Sequence, residues 1–164
     1  MALVIGIDPG LSGGIALISE KVIKAIPMPK TERDTFDYIH EEILCYNKWM
    51  HYNLDEIPRY PITFVLEKVH TFPGQGISSS GKFMQHYGFL RGLIIAAEQR
   101  FIDVSPQKWQ RSLGILPRKS KTKSEHKNLL KQLSQQLFPH IGITLAIADA
   151  LLLAEYGRKL LYER

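Results

Sequence analysis

Three acidic residues stand where packing alone gives no reason for an acid. Asp8 ends the apolar run 3–7 and is followed by the glycine-rich turn PGLSGG. Glu67 ends a second apolar run, 62–66, and is followed by another polar, glycine-rich stretch. Asp149 lies within a nearly continuous apolar segment. An ionised acid in such surroundings is costly unless it is paired, hydrogen-bonded or bound to a metal ion.

Carboxylates without a cluster of Cys or His favour a hard divalent cation. Mg²⁺ and Mn²⁺ prefer oxygen ligands and keep several waters for substrate phosphates. Two such ions, roughly 3.5–4 Å apart, can activate a water and stabilise the leaving oxygen of a phosphodiester. We therefore predict that Asp8, Glu67 and Asp149 bind Mg²⁺, with Mn²⁺ as a substitute. The simpler explanations are turn formation for Asp8 and Glu67, and an ion pair or hydrogen bond for Asp149.

The hydrophobic pattern predicts a single α/β domain over residues 1–164 that positions these acids. Short apolar runs indicate strands, and apolar residues at helical spacing indicate helices. The tight connections between the first three strands predict an antiparallel meander. The predicted strands are 3–7, 15–18, 21–28, 62–66 and 101–104; the predicted helices are 34–50, 83–100, one starting at Ser105-Pro106, 121–138 and 143–161; loops are predicted at 53–61, 70–82 and 115–120.

Positive charge is concentrated in one segment of the chain. The formal net charge is +5, yet residues 105–131 alone carry +7, with Glu125 as their only acid. A local excess of this kind indicates a polyanion partner, and a solvated lysine-rich helix is the alternative. The basic residues of this segment are Lys108, Arg111, Arg118, Lys119, Lys121, Lys123, Lys127 and Lys131.

Composition excludes several classes of protein. No apolar run approaches the roughly 20 residues that a membrane span needs, and the N-terminus lacks the features of a secretory leader. The single cysteine, Cys45, cannot form an internal disulfide, and zinc bound through several thiolates is excluded. We therefore expect an intracellular protein, either cytoplasmic in a bacterium or phage or organellar in a eukaryote.

The element order and three motifs resemble a known nuclease superfamily. Acids that end the first and fourth strands, with a third on the last helix, are similar to the pattern of the ribonuclease-H-like superfamily. GIDPG at 6–10, LEKVH at 66–70 and ADALLLAEYG at 148–157 look like the RuvC-type Holliday junction resolvases, and the run at 73–88 looks like their phage and organellar branch. The resemblance implies a mixed five-stranded sheet, with three antiparallel strands followed by two parallel ones, flanked by helices. It also implies a homodimer that nicks four-way DNA junctions symmetrically in recombination and repair, with Asp8, Glu67 and Asp149 as metal ligands.

The same resemblance implies which residues contact DNA. His70 or Phe72 would wedge into the junction centre, and Phe83 and Tyr87 would touch bases, although core packing is the simpler explanation for each of those two rings. Lys123 matches the family's catalytic-side lysine. The other implied DNA contacts are Gln75, Ser79, Lys82, Lys108, Arg111, Arg118, Lys119, Lys121 and Lys127.

One departure from the family leaves other functions open. The family usually has a second acidic or histidine ligand three residues before the helix acid, and this chain has Ala146 there. A junction-binding or branched-DNA-binding protein with weak or no cleavage is therefore an alternative. A second alternative is a nuclease acting on other branched DNA or on RNA–DNA hybrid. A third is a sugar-kinase-like ATPase, although the chain is too short for the two lobes of that class.

Overall fold

The computed structural model describes residues 2–51, 62–70, 76–115 and 122–162, with the backbone alone at 47–51. Within that part of the chain, strands and helices follow the predicted order. The strands are β1 (Leu3–Asp8), β2 (Gly14–Ile18), β3 (Ile23–Pro27), β4 (Ile62–Glu67) and β5 (Arg100–Val104); the helices are α1 (Glu32–His51), α2 (Ile77–Ala96), α3 (Pro106–Ser112), α4 (Lys123–Leu137) and α5 (Leu145–Tyr162).

The five strands form one mixed sheet in the order β3-β2-β1-β4-β5. β1, β2 and β3 form the predicted antiparallel meander. β4 then pairs parallel with β1, and β5 pairs parallel with β4. This arrangement confirms the predicted fold class.

Side-chain alternation along β1 and β4 divides the core into two layers. Because successive residues of a strand point to opposite faces, Val4 and Val65 lie on one face, with α3, α4 and α5. Ile5 and Phe64 lie on the other face, with α1 and α2. The central strands are buried on both faces, which is why they are continuous apolar runs.

Helix α5 packs directly onto the centre of the sheet. A side chain at Gly6 of β1 would collide with the carbonyl oxygen of Ala150 and the amide nitrogen of Ala154. On the helix side, a Cβ at Gly157 would lie 2.7 Å from the side chain of Val4. Glycine and alanine at these positions therefore bring the helix backbone against β1 and fix Asp149 relative to the strand ends.

Two predictions about the helices were wrong in detail. Helix α2 begins at Ile77, six residues before the predicted start, because the serine run that indicated a loop forms the exposed first turns of the helix. The helical spacing of the predicted helix 121–138 also places Leu137 on its inward face, but Leu137 is 43% exposed because it is the last residue of α4. The predicted loop at 53–61, and the predicted loop at 115–120 except for Ile115, lie outside the described residues. Among the described helices, none is long and apolar enough to cross a membrane.

Candidate metal and nucleic-acid site

Asp8 and Glu67 are brought together by strand pairing. Each is the last residue of its strand, and β1 and β4 are parallel neighbours with Ile7 opposite Leu66. The two acids therefore leave the same edge of the sheet on adjacent strands, which are roughly 4.8 Å apart. Alternation places both side chains on the face that α5 covers. This is the convergence that the two strand-end acids predicted.

The raised pKa values of the three carboxyls indicate that they are desolvated and lie near one another. Burial raises the pKa of Asp8 well above its usual range, and the charges of Glu67 and Asp149 raise it further. Burial raises the pKa of Glu67 to about 7, with Asp149 adding to the rise. Burial also raises the pKa of Asp149 to about 6. Each carboxyl therefore loses hydration on folding, and Asp8 and Glu67 also feel a neighbouring acid.

The turn after Asp8 depends on two glycines. Gly13, whose N–H donates to the carbonyl of Gly10 at 3.0 Å, lies so close to Asp8 that a Cβ there would collide with the Asp8 carbonyl and lie 3.0 Å from its Cγ. Gly10 has a φ of +99°, which side chains rarely adopt, and its Cβ would lie 2.8 Å from the ring of Phe83. The turn thus shapes the backbone around Asp8 and lets α2 approach the site.

Lys127 is the cation whose charge acts on the site. Its charge lowers the pKa of both Asp8 and Asp149, against the effect of burial. Helix α4 packs against α5, which brings Lys127 toward these acids. Lys123, which is predicted to be the catalytic-side lysine, is an exposed residue one turn earlier on α4, and its role stays a prediction. Lys123, Lys127 and Lys131 follow at four-residue spacing and form one basic stripe.

A fully buried tryptophan contacts one of the acids. The indole Nε1–H of Trp109 donates to Oε1 of Glu67 at 2.8 Å. This hydrogen bond favours the ionised carboxylate and lowers the pKa of Glu67, which burial raises. Sequence reasoning missed Trp109, since no pattern in the sequence links a residue of α3 to the end of β4.

The donor set fits a hard divalent cation by its chemistry, because three half-buried carboxylates supply anionic oxygens whose mutual repulsion a cation would relieve. Asp8, Glu67 and Asp149 are the residues that could hold it. Their side chains do not form a ready-made cage, however. Over the ranges that the structure describes, no three Asp, Glu, His or Cys side chains are close enough together to hold one ion.

The aromatic residues predicted to touch bases have different environments. The ring of Tyr87 is buried and its hydroxyl donates to Asp103 at 2.8 Å, which agrees with the simpler explanation of core packing, and its contact with bases stays a prediction. Arg91 lies over the same ring and pairs with Asp103. Phe83 is only partly buried and lines a hollow of about 360 Å³ with Gly76, Ser79 and Ser80.

The remaining predicted DNA contacts lie on several elements. Ser79 and Lys82 are exposed on α2, His70 is exposed after β4, and Lys108 and Arg111 are exposed on α3. The predicted contacts that lie outside the described residues are Phe72, Gln75, Arg118, Lys119 and Lys121.

A mixed sheet of this order, flanked by helices, is the ribonuclease-H-like fold. The solved structures that share it include two of RuvC from Thermus thermophilus. RuvC in complex with Holliday junction substrate matches with a TM-score of 0.58 at 13% identity, over 98% of this chain and 96% of that chain. A second Thermus thermophilus RuvC structure matches with a TM-score of 0.54 at 15% identity, over 96% of each chain. No protein-family model and no curated protein matches the sequence, so the likeness is one of fold.

Proposed function

We propose that this protein is a metal-dependent endonuclease that cleaves four-way DNA junctions. The observation that carries the proposal is the convergence of Asp8, Glu67 and Asp149 from β1, β4 and α5 on one face of a RuvC-like sheet. The proposal depends on the site as well as on the fold, because one fold can carry many different functions.

Each residue of the site has a defined role in this proposal. Asp8, Glu67 and Asp149 would hold Mg²⁺ or Mn²⁺, which when bound supplies an activated water and charge stabilisation for phosphodiester hydrolysis. Lys127 places a positive charge beside Asp8 and Asp149 and stabilises the negative charge that develops on the phosphate. The glycines of the turn keep side chains away from Asp8, so that a DNA backbone can approach.

The charge distribution supports a DNA substrate. Lys108 and Arg111 on α3 and the stripe of Lys123, Lys127 and Lys131 on α4 extend positive charge away from the acids. Contacts of this kind hold phosphates and make affinity fall with salt. The matched RuvC is described in complex with a Holliday junction, and the sequence motifs at 73–88 favour the phage and organellar branch. We place the protein inside the cell, because one cysteine gives no disulfide framework.

A homodimer is part of the proposal, because symmetric nicking needs two active sites. Helix α2 offers a surface for it. Side chains added at Gly88 and Gly92 would meet nothing within 4 Å, and Ile95 on the same helix is 63% exposed. Sedimentation of wild type and of Ile95→Glu tests this point: the wild type should be dimeric and the variant shifted toward monomer.

The test of the proposal is cleavage of a labelled synthetic four-way junction, with and without Mn²⁺, mapping nicks on all four strands. We expect paired nicks on two strands of like polarity, which require the cation and are lost in Asp8→Asn. Linear duplex, a flap and an RNA–DNA hybrid serve as competing substrates. Equal cutting of linear duplex would contradict the junction preference, and preferential cutting of the flap or hybrid would favour a related nuclease.

A second candidate is a junction-binding protein without cleavage. It is favoured by Ala146, which removes a potential fourth ligand one turn before Asp149, and by the absence of a ready-made three-ligand cage over the described ranges. Tight binding to the junction without nicking, across the full range of Mg²⁺ and Mn²⁺ concentrations, would establish this function instead.

A further inference from the structure

The contact between Trp109 and Glu67 has a specific geometry. The indole Nε1–H donates to Oε1 of Glu67 at 2.8 Å. Trp109 therefore binds one oxygen of the carboxylate, Oε1, and does not bind the other, Oε2. The indole nitrogen is a donor only and cannot itself coordinate a cation. Trp109 therefore constrains the orientation of the carboxylate without competing for its ligand.

The tryptophan is itself rigidly held. Its ring is fully buried in the core layer that contains Val65 and Val104, on the same side of the sheet as Glu67. Helix α3 begins at Pro106, directly after β5, which fixes the entry of the helix. A donor held this firmly can restrict the side chain that it contacts.

Helix α3 also reaches the helix that carries Lys127. Gln110, the neighbour of Trp109, has its Oε1 3.2 Å from Nε2 of His126 on α4. Two successive residues of α3 thus make two different contacts. Trp109 contacts Glu67 at the end of β4, and Gln110 contacts His126, the neighbour of Lys127 on α4.

We propose that Trp109 is a positioning residue for cation binding, which holds Glu67 in the orientation that presents Oε2 to the ion. This inference rests on the proposed function, since it assumes that Glu67 is a ligand. The simpler explanation is that the indole N–H is buried and needs any acceptor. The two explanations differ in one consequence: at a pH at which Glu67 is ionised with or without the hydrogen bond, only a positioning role makes cation affinity depend on the N–H.

The decisive experiment replaces only the N–H. Trp109 in the full chain is exchanged for 3-benzothienylalanine, in which sulfur stands for the indole nitrogen at nearly unchanged shape, and Mn²⁺ binding is measured by electron paramagnetic resonance. We expect affinity to fall by about 10–100-fold, the usual cost of losing a hydrogen-bond partner of a metal ligand. Trp109→Phe should show at least the same loss. Phe138→Leu, which thins the same core layer near the far end of α4, should keep wild-type Mn²⁺ affinity.

The outcomes separate this inference from the proposed function. Wild-type affinity in the benzothienylalanine protein, with binding intact in wild type, would overturn the positioning role alone. Absence of Mn²⁺ binding in wild type would overturn the proposed function, and this inference with it.

A second measurement leaves Trp109 unchanged. The chain has two tryptophans, so Trp49→Phe leaves Trp109 as the sole emitter. Adding Mg²⁺ should change its emission, because the ion alters the charge of the carboxylate bonded to the indole, and Glu67→Gln should abolish the change. Constant emission at Mg²⁺ concentrations that support cleavage would contradict the proposal.

Discussion

Helix α5 carries two acids, Glu155 and Asp149, and their surroundings are opposite. Glu155 is 4% exposed and is held by Arg158, whose Nε and Nη2 each lie 2.7 Å from one of its carboxylate oxygens. Asp149, six residues earlier, lies toward Asp8 and Glu67 instead. Among the ion pairs of the described residues, within 4 Å, none includes any of these three acids.

The difference separates a structural acid from a functional one. Glu155 has its counter-charge within its own helix, so the two contacts from Arg158 offset the cost of its burial. Asp8 and Glu67 at the strand ends and Asp149 on α5 accept desolvation and mutual repulsion, which is unfavourable unless something cationic completes the site. Desolvated acids without an ion pair among the described residues are therefore the better indicator of a metal site.

Of the substitutions considered, Asp8→Asn should have the largest effect on the rate of junction nicking. Removing a direct ligand should lower the rate of junction nicking by more than the about 10–100-fold typical of losing an outer partner. Single-turnover cleavage at saturating Mn²⁺ measures it. Glu155→Gln is the matched control, an acid-to-amide change on the paired side, and should retain wild-type nicking below its melting temperature. An equal loss of nicking rate in both variants would show that Glu155 and Asp8 do not differ in function.

In chelator, stability should fall as pH rises. The folded-state pKa values of Glu67, about 7, and Asp149, about 6, lie above their usual values of 4.5 and 3.8, so the protonated forms stabilise the folded state. That stability is fully present below about pH 4 and is lost by about pH 7, with a change on the order of a few kcal/mol. Urea unfolding from pH 4 to pH 8 measures it.

Two controls accompany the pH series. Asp149→Asn should flatten it, and Mg²⁺ at pH 8 should restore stability because it binds the folded state. A free energy of unfolding in chelator that rises steadily from pH 4 to pH 8 would contradict the raised pKa values.

Acid-to-amide changes should have opposite signs at the two sites. Glu155→Gln should destabilise the protein by about 1–3 kcal/mol, less than for a fully buried pair because Arg158 is half exposed. Asp8→Asn should stabilise the cation-free protein at pH 8, because it removes a desolvated charge beside two others. Thermal unfolding in chelator measures the change in stability for both variants. A change of the same sign in both would show that the ion pair with Arg158 does not distinguish Glu155 from Asp8.

Ala146→Asp should have the smallest effect of the series. The new carboxylate would stand one turn before Asp149 on the same face of α5 and add a ligand to the site. We expect Mn²⁺ affinity to rise by about tenfold, measured by calorimetry, with a small loss of stability in chelator from added repulsion. Leu145→Asp, at the exposed start of the helix, controls for added charge and should bind Mn²⁺ as wild type.

The positions of the acids were predictable from sequence because they depend on regular structure. Runs that end in Asp8 and Glu67 define strand ends, and parallel pairing with two-residue alternation brings both side chains to one face. The environment of Tyr87 could not be predicted from the sequence, since its hydroxyl donates a hydrogen bond to Asp103 of β5. Lys127 and Trp109 depend on how α3 and α4 pack, and helical spacing does not distinguish Lys123 from Lys127. Local pattern thus predicts the carboxylates, whereas tertiary packing determines what surrounds them.

The close seating of α5 on β1 has a consequence for how the site opens. With Gly6 in contact with the backbone of Ala150 and Ala154, the strand and helix cannot slide past each other without steric collision. Asp8 and Asp149 therefore separate only when the sheet core itself unfolds, in the slowest class of amide-exchange events. Adjustment around a substrate falls instead to side-chain torsions and to α4, which carries Lys127, whereas the part of the site built from β1 and α5 keeps its geometry.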